Sequence, residues 1–284
     1  MDRKEQLIEV FNDTQRYMRE NAVLAAAVEK SKAAAKLYGV EDYPDLPEMK
    51  KAGTVTVTKS RTFEAAMRLH AAHPGAKVAV LNFASATKPG GGVKTGATAQ
   101  EEALCRVSTL YPTLDQRRFW DQYYTPNRAA NDPLHTDVCI YSPGVVICKT
   151  DESFPKRLPE SEFVTVEVVS CAAPNLRQAP GNYHNPDADH AVNITKQALY
   201  DLHLHRAKHI LHVAAANGVD CLVLGAFGCG AFMNDPHYVA AAYRDALEEY
   251  RAYFDVVEFA IYCRGSETEN YRAFAEKLQM YTEK

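Results

Sequence analysis

The run Val78-Ala79-Val80-Leu81-Asn82-Phe83 constrains this chain more than any other segment, because it is apolar on both alternating faces and leads through a short polar stretch into Gly90-Gly91-Gly92. A strand with two apolar faces must be covered on both, as in parallel sheets flanked by helices. Further strands are predicted at 54–58, 137–141, 145–148, 163–171, 221–225 and 256–263, and helices at about 62–72, 188–217, 236–253 and 267–281. Strand-helix alternation of this kind makes an α/β protein, a three-layer α/β/α sandwich. Before it, residues 3–38 read as two helices with Asn21 as the break, followed by a connector around Pro44 and Pro47. The chain is therefore expected to divide into a helical N-terminal extension, 1–50, and an α/β domain, 51–284, that carries the glycine loops.

At 284 residues, 46% hydrophobic and 24% charged, the chain has the balance of a globular protein with a sizeable core. A formal charge of -4 without dominant Lys/Arg clusters argues against direct DNA binding. Seven cysteines, odd in number and without a C-x-x-C pair, suggest neither a disulfide framework nor a zinc site. The charged N-terminus has no signal-peptide core, and no apolar run is long enough to span a membrane, so a cytoplasmic protein is expected.

Three successive glycines carry no Cβ, so a ligand can approach the backbone and φ > 0 is freely available. Two nucleotide motifs fail here. A P-loop needs Gly before its Lys-Thr, where this chain has Val93, and neither Gly90/Gly92 nor Gly228/Gly230 is followed by the third glycine of a dinucleotide fingerprint. The second loop, Gly225 to Asp235, also joins an apolar strand to a helix, with Asn234 or Asp235 as N-cap and Pro236 at the first helical position. Its last N–H groups then face a helix mouth, a natural anion site, and Gly230 is where close backbone approach and a positive φ are expected. A plain strand-to-helix turn is the alternative.

Glu101 and Glu102 open the helix after the triple glycine. Thr98-x-x-Glu101 has the form of a capping box, which leaves Glu101 either a cap or a functional group, whereas Glu102 has no local duty. Neighbouring helical residues point ~100° apart, so both carboxylates cannot face one substrate atom, and a single acid/base beside a positioning neighbour is easier to build than a twin-carboxylate glycosidase. His205, His209 and His212 share a helix face but lack a fourth ligand, so no metal and no cofactor are expected. Cys105 has no partner histidine that would make it a nucleophile.

Gly90-Gly91-Gly92, a gap of seven, and Gln100-Glu101-Glu102 resemble the signature of poly(ADP-ribose) glycohydrolases, and with Phe227-Gly228-Cys229-Gly230 the chain is similar to their bacterial type from about Thr54 onward. The resemblance implies a macrodomain fold with a mixed central sheet, and cleavage of ribose-ribose O-glycosidic bonds, mainly from the chain terminus, releasing ADP-ribose. Glu102 would be the general acid/base and Glu101 would hold the terminal ribose hydroxyls. Asn82 would lie near the ribose, and Gly90, Gly91, Gly92, Val93 and Gln100 would belong to the substrate site. Gly228, Cys229, Gly230, Ala231 and Phe232 would form the diphosphate loop, with Phe227 where the family has Trp. The substrate would be poly(ADP-ribose) or an ADP-ribosylated protein. Other readings are a mono-ADP-ribosyl hydrolase and a non-catalytic ADP-ribose-binding module, though a pure reader has no need of an acid at 102.

Overall fold

A computed structural model of the chain describes residues 2–51, 53–179, 191–266 and 268–282. Its helices are α1 (Arg3–Glu20), α2 (Ala22–Ala34), α3 (Thr62–Ala72), α4 (Gln100–Val107), α5 (Leu110–Leu114), α6 (Arg117–Phe119), α7 (Thr125–Ala130), α8 (Lys196–Ala216), α9 (Pro236–Tyr250) and α10 (Glu269–Thr282). Its strands are β1 (Lys36–Tyr38), β2 (Thr54–Thr58), β3 (Val78–Phe83), β4 (Cys139–Ile147), β5 (Val164–Cys171), β6 (Cys221–Leu224) and β7 (Val256–Ala260).

The strands form one mixed sheet in the order β1-β4-β5-β3-β6-β7-β2. From β5 to β2 every neighbouring pair is parallel, while β4 runs antiparallel to β5 and β1 antiparallel to β4. Alternation along β3 sends Ala79 and Leu81 into a core with α8, α9 and α10, and Val78 and Val80 into a second core with α3, α4 and α5. Asn82, in step with Val78 and Val80, therefore emerges on the α4 side at the carboxyl end of a central strand, where open α/β sheets place their ligands.

Several boundaries differ from the sequence reading. The helix expected to reach residue 38 ends at Ala34, and Lys36–Tyr38 instead pair with Cys139–Tyr141 as an edge strand. The two strands expected across 137–148 are one, β4, with a register shift between Ser142 and Val145 where Gly144 takes φ 68. Strand pairing and a bulge depend on distant partners, which local periodicity does not report. Helix α8 starts at Lys196, capped by Thr195, rather than at 188; residues 188–190 of the expected helix and 180–187 of the expected long loop lie outside the described residues. Among the described residues no helix is long and apolar enough to cross a membrane.

Helix α1 is fastened beneath α4. Phe11 meets Tyr111 edge-on at 5.1 Å, and the Thr14 hydroxyl donates to the Arg106 carbonyl. The buried Lys149 ammonium donates to the Val10 carbonyl at 3.0 Å and pairs with Asp13 at 2.8 Å, and Arg157 holds the other side of Asp13 at 2.6 Å. These two cations hold the Asp13 carboxyl well below the usual range. Removing one partner of a buried pair strands the other charge. Asp13→Ala should lower the urea-unfolding free energy by roughly 2–4 kcal/mol, and adding Lys149→Met should restore much of it, because the stranded ammonium is gone.

Candidate active site

Where β3 runs out, α4 supplies the missing partners. Gln100 at the first position of α4 accepts the Phe83 N–H through Oε1 at 2.9 Å and donates to the Leu81 carbonyl at 2.8 Å and to Thr62 Oγ1 at 3.1 Å. Its side chain ties the helix to the strand end, so the next two residues hang over the sheet edge in a set register. Asn82, fully buried and level with Ser170 on β5, donates to Ser170 Oγ at 3.0 Å and to Glu101 Oε1 at 3.3 Å.

Glu101 accepts the Ser85 N–H at 2.8 Å through its other oxygen. The capping box expected from Thr98 and Glu101 does not form: the N-cap is Ala99, with no side-chain cap bond, and Glu101 faces inward. A buried carboxylate needs donors more than an exposed helix end needs a cap, since water already serves the latter. Glu102 turns the other way, accepting the Gly92 N–H at 2.7 Å through Oε1, while its buried Oε2 has no hydrogen-bond partner among the described residues. Glu101 and Glu102 are 2% and 7% exposed, so two adjacent negative charges are poorly solvated. Burial first, and then the charge of Glu102, push Glu101 up to about 8. Glu101 therefore retains its proton at neutral pH.

The triple-glycine loop is shaped around these carboxylates. Gly90 and Gly91 have φ 65 and 52, and a Cβ on Gly91 would lie 2.5 Å from Glu102 Oε1 and 3.1 Å from Glu101 Oε2. A Cβ on Gly90 would instead strike the Tyr111 ring at 2.7 Å, and Val93 is buried in the core; neither residue lines the cleft, so both support the loop from behind.

In the second loop the positive φ falls on Gly228, at 76, and not on Gly230 as expected; a Cβ on Gly228 would meet the Asn234 amide at 2.7 Å, whereas one on Gly230 would enter open space. Asn234 is the fastener. Its amide donates to the Pro174, Gly228 and Phe232 carbonyls at 2.7, 3.0 and 3.3 Å, and its Oδ1 lies 2.8 Å from His203 Nε2. With the amide nitrogen so committed, His203 carries its proton on Nε2, and burial lowers its pKa to about 4, keeping the ring neutral. Asp235 caps α9 through the His237 N–H, with Pro236 following, as the sequence indicated. Phe227 is buried against Phe83 and His203, while the Cys229 thiol lies 3.6 Å from the Phe227 carbonyl and does not reach the cleft.

Two connected cavities share Phe83, Ala99, Ala231 and Phe232. The larger, about 560 Å³, holds Glu101, Glu102, Gly91 and Gly92; the smaller, about 230 Å³, holds Gly228, Gly230, Gln100 and Tyr262. Sequence reasoning missed the opposite wall, formed by Asn127, Asn131, His135, Asn175 and Arg177. The only sequence signal was that 172–187 was too long for a plain connector. The wall is positioned by buried Arg206 of α8, which pairs with Asp137 at 2.5 Å and donates to the carbonyls of Ala172, Leu134 and His135. The helical histidines do not converge: His205 bonds Asp137, His212 bonds the Pro44 carbonyl, and His209 is fully buried.

The arrangement is a cleft with one anchored carboxylate, a protonatable neighbour and a bare backbone loop. Residues 5–150 match the microbial-type PARG catalytic domain, PARG being poly(ADP-ribose) glycohydrolase. The chain belongs to this family. The structure of the Thermomonospora curvata glycohydrolase is similar over 96% of this chain and 99% of that one, with 32% identity and a TM-score of 0.81. That enzyme has also been solved with the inhibitor ADP-HPD, matching here at 33% identity over 96% and 99% of the two chains with a TM-score of 0.80. The Deinococcus radiodurans glycohydrolase in complex with ADP-ribose matches at 34% identity over 90% of this chain and 98% of that one, with a TM-score of 0.76. A search of curated proteins found no significant match.

The carboxylate pair makes stability depend on pH in a defined direction. A group whose folded pKa lies near 8 against an ordinary value of 4.5 holds its proton in the folded state while the unfolded chain has lost it. Stability is therefore lost as pH rises from about 4.5 to about 8. Glu101→Gln removes this loss, so the melting temperature of the variant relative to wild type should climb steadily between pH 5 and pH 8.5, on the order of several degrees. A difference that stays flat with pH would show that Glu101 holds no such proton.

Proposed function

We propose that the chain hydrolyses the ribose-ribose O-glycosidic bonds of poly(ADP-ribose) with Glu102 as both acid and base. The observation that carries the assignment is the asymmetry of this side chain: one oxygen is fixed by Gly92 N–H, and the other, unpartnered among the described residues, belongs to a residue lining the cleft. The cleft binds ADP-ribose, as the D. radiodurans relative does. The diphosphate is received by the backbone of Gly228 to Phe232 at the mouth of α9, the distal ribose lies between Phe232 and the glutamates, and Glu101 and Asn82 orient its hydroxyls.

In the first step the C1″–O bond breaks, its electron pair goes to the leaving oxygen, and Glu102 as the general acid passes a proton to that oxygen. Positive charge develops at C1″. The substrate's own diphosphate and the ionised Glu102 stabilise it, so a second protein nucleophile is not required. Water then attacks C1″ while Glu102 takes its proton, which restores the starting state.

A mono-ADP-ribosyl substrate presents the same terminal group, and cleavage mainly at the chain terminus is part of the proposal. Residues 1–50 serve as an extension that supports α4 from behind, and 51–284 as the catalytic part. A cytoplasmic site of action agrees with seven free cysteines.

Glu102→Gln should lower turnover of poly(ADP-ribose) by at least ~10², with ADP-ribose affinity kept within a few fold. Near wild-type turnover in this variant would remove Glu102 from the mechanism. For the diphosphate loop, Gly230→Val puts its branch into open space where the ligand lies. Calorimetry should find ADP-ribose affinity down by more than ~10-fold with a melting temperature moved by only a few degrees. Gly228→Val, strained and opposed by Asn234, should unfold the protein at markedly lower temperature.

A further inference from the structure

We propose that a separate cavity behind the triple-glycine loop receives the leaving unit of the polymer, an ADP-ribosyl group whose diphosphate is held by Lys88 and Lys94. The inference rests on the reading of Glu102 as the acid. The cavity, about 300 Å³, shares Lys88, Gly91 and Gly92 with the main cleft. Gly92 is also the residue whose N–H fixes Glu102 Oε1. The two spaces thus adjoin at the residue that anchors the carboxylate protonating the leaving oxygen. A group attached to that oxygen lies on the Glu102 side of the scissile bond, and the cavity is the space that continues from there.

Its chemistry fits a diphosphate-bearing unit. Lys88, Lys94 and Arg128 line it together with Trp120 and Tyr111, and no carboxylate does. The basic cavity on the far side of α4 differs, since Asp151 and Glu152 stand among its arginines. Lys94 is exposed, with its ammonium 5.0 Å from the centre of the Tyr111 ring, and neither it nor Lys88 forms an ion pair with a carboxylate among the described residues. Arg128 is built into the wall, donating to the Thr87 carbonyl at 2.6 Å and lying 4.8 Å from the Trp120 ring centre. Asp115 is held behind the two rings by the Tyr111 hydroxyl at 2.7 Å and the Trp120 indole N–H at 2.8 Å and does not line the cavity, so the cations grouped against these aromatic faces are a site for a phosphorylated, ring-bearing ligand. The product ADP-ribose lacks this second unit and fills only the main cleft.

The test compares polymer with product. Lys94→Glu changes an exposed side chain, so folding is preserved, and its KM for poly(ADP-ribose) of defined length should rise by ~5-fold or more, with kcat and the calorimetric Kd for ADP-ribose changed by less than ~2-fold. Lys94→Gln should raise KM less and flatten its dependence on salt. An unchanged polymer KM in Lys94→Glu, or a parallel loss of ADP-ribose affinity, would overturn the subsite. Failure of the underlying reading looks different: Glu102→Gln would then retain polymer turnover, and the inference would fall with it. With Glu102→Gln inactive and the polymer KM unmoved, the subsite alone is lost.

Discussion

Two carboxylates on consecutive residues of one helix, both almost wholly buried at the floor of the cleft, set the terms for everything around them. The helix points them ~100° apart, so they cannot share one set of donors. Glu101 turns to the Ser85 N–H and the Asn82 amide, and Glu102 to the Gly92 N–H. Neither set would be in place unless α4 were held at a set height over β3, which Gln100 does by completing the hydrogen bonding of the strand end. The lack of a side chain at Gly91 follows from the same pair, since a Cβ there would overlap a carboxylate oxygen. The retained proton also follows from it, because like charges at this spacing in a poorly solvated place cannot both ionise freely.

The remainder of the cleft depends on fasteners that never touch the ligand. Asn234 gathers the Pro174, Gly228 and Phe232 carbonyls, and His203 fixes which way its amide points. Arg206 gathers the Leu134, His135 and Ala172 carbonyls around Asp137. Main-chain bonds from Asn175 to Pro133 and from Leu176 to Phe232 then join the loops after β5 and β6 to the opposite wall. Three loops distant in sequence are held as one rim, and this lets bare backbone present its N–H groups to an anion without rearranging.

The parts that sequence reasoning recovered are those whose causes are local. The bounds of β2, α3 and β3 follow from alternation or helical spacing within a few residues, and Asn21, Asp235 and Pro236 act on their immediate neighbours. The pairing of Gly90-Gly91-Gly92 with Gln100-Glu101-Glu102 was visible because loop and helix are contiguous. The Thr98 capping box was misread for the opposite reason: Glu101 had a better offer from Ser85 and Asn82, both brought close by the end of β3. Lys36–Tyr38 became a strand only because β4 offers an unpaired edge, and the positive φ fell on Gly228 because Asn234 closes on it from six residues away.

The sequence by itself determined the layered α/β architecture, the bare loops and the glutamate pair, since hydrophobic period, glycine and a short motif are properties of contiguous residues. Tertiary structure alone decided which glutamate is anchored at Gly92, that Glu101 is pushed up to about 8, and that Asn175 and Arg177 border the same cleft as the glutamates. Charge states and cleft walls arise from burial and from neighbours far apart along the chain. Desolvation and proximity have no sequence period, so they come into being only when the chain has closed.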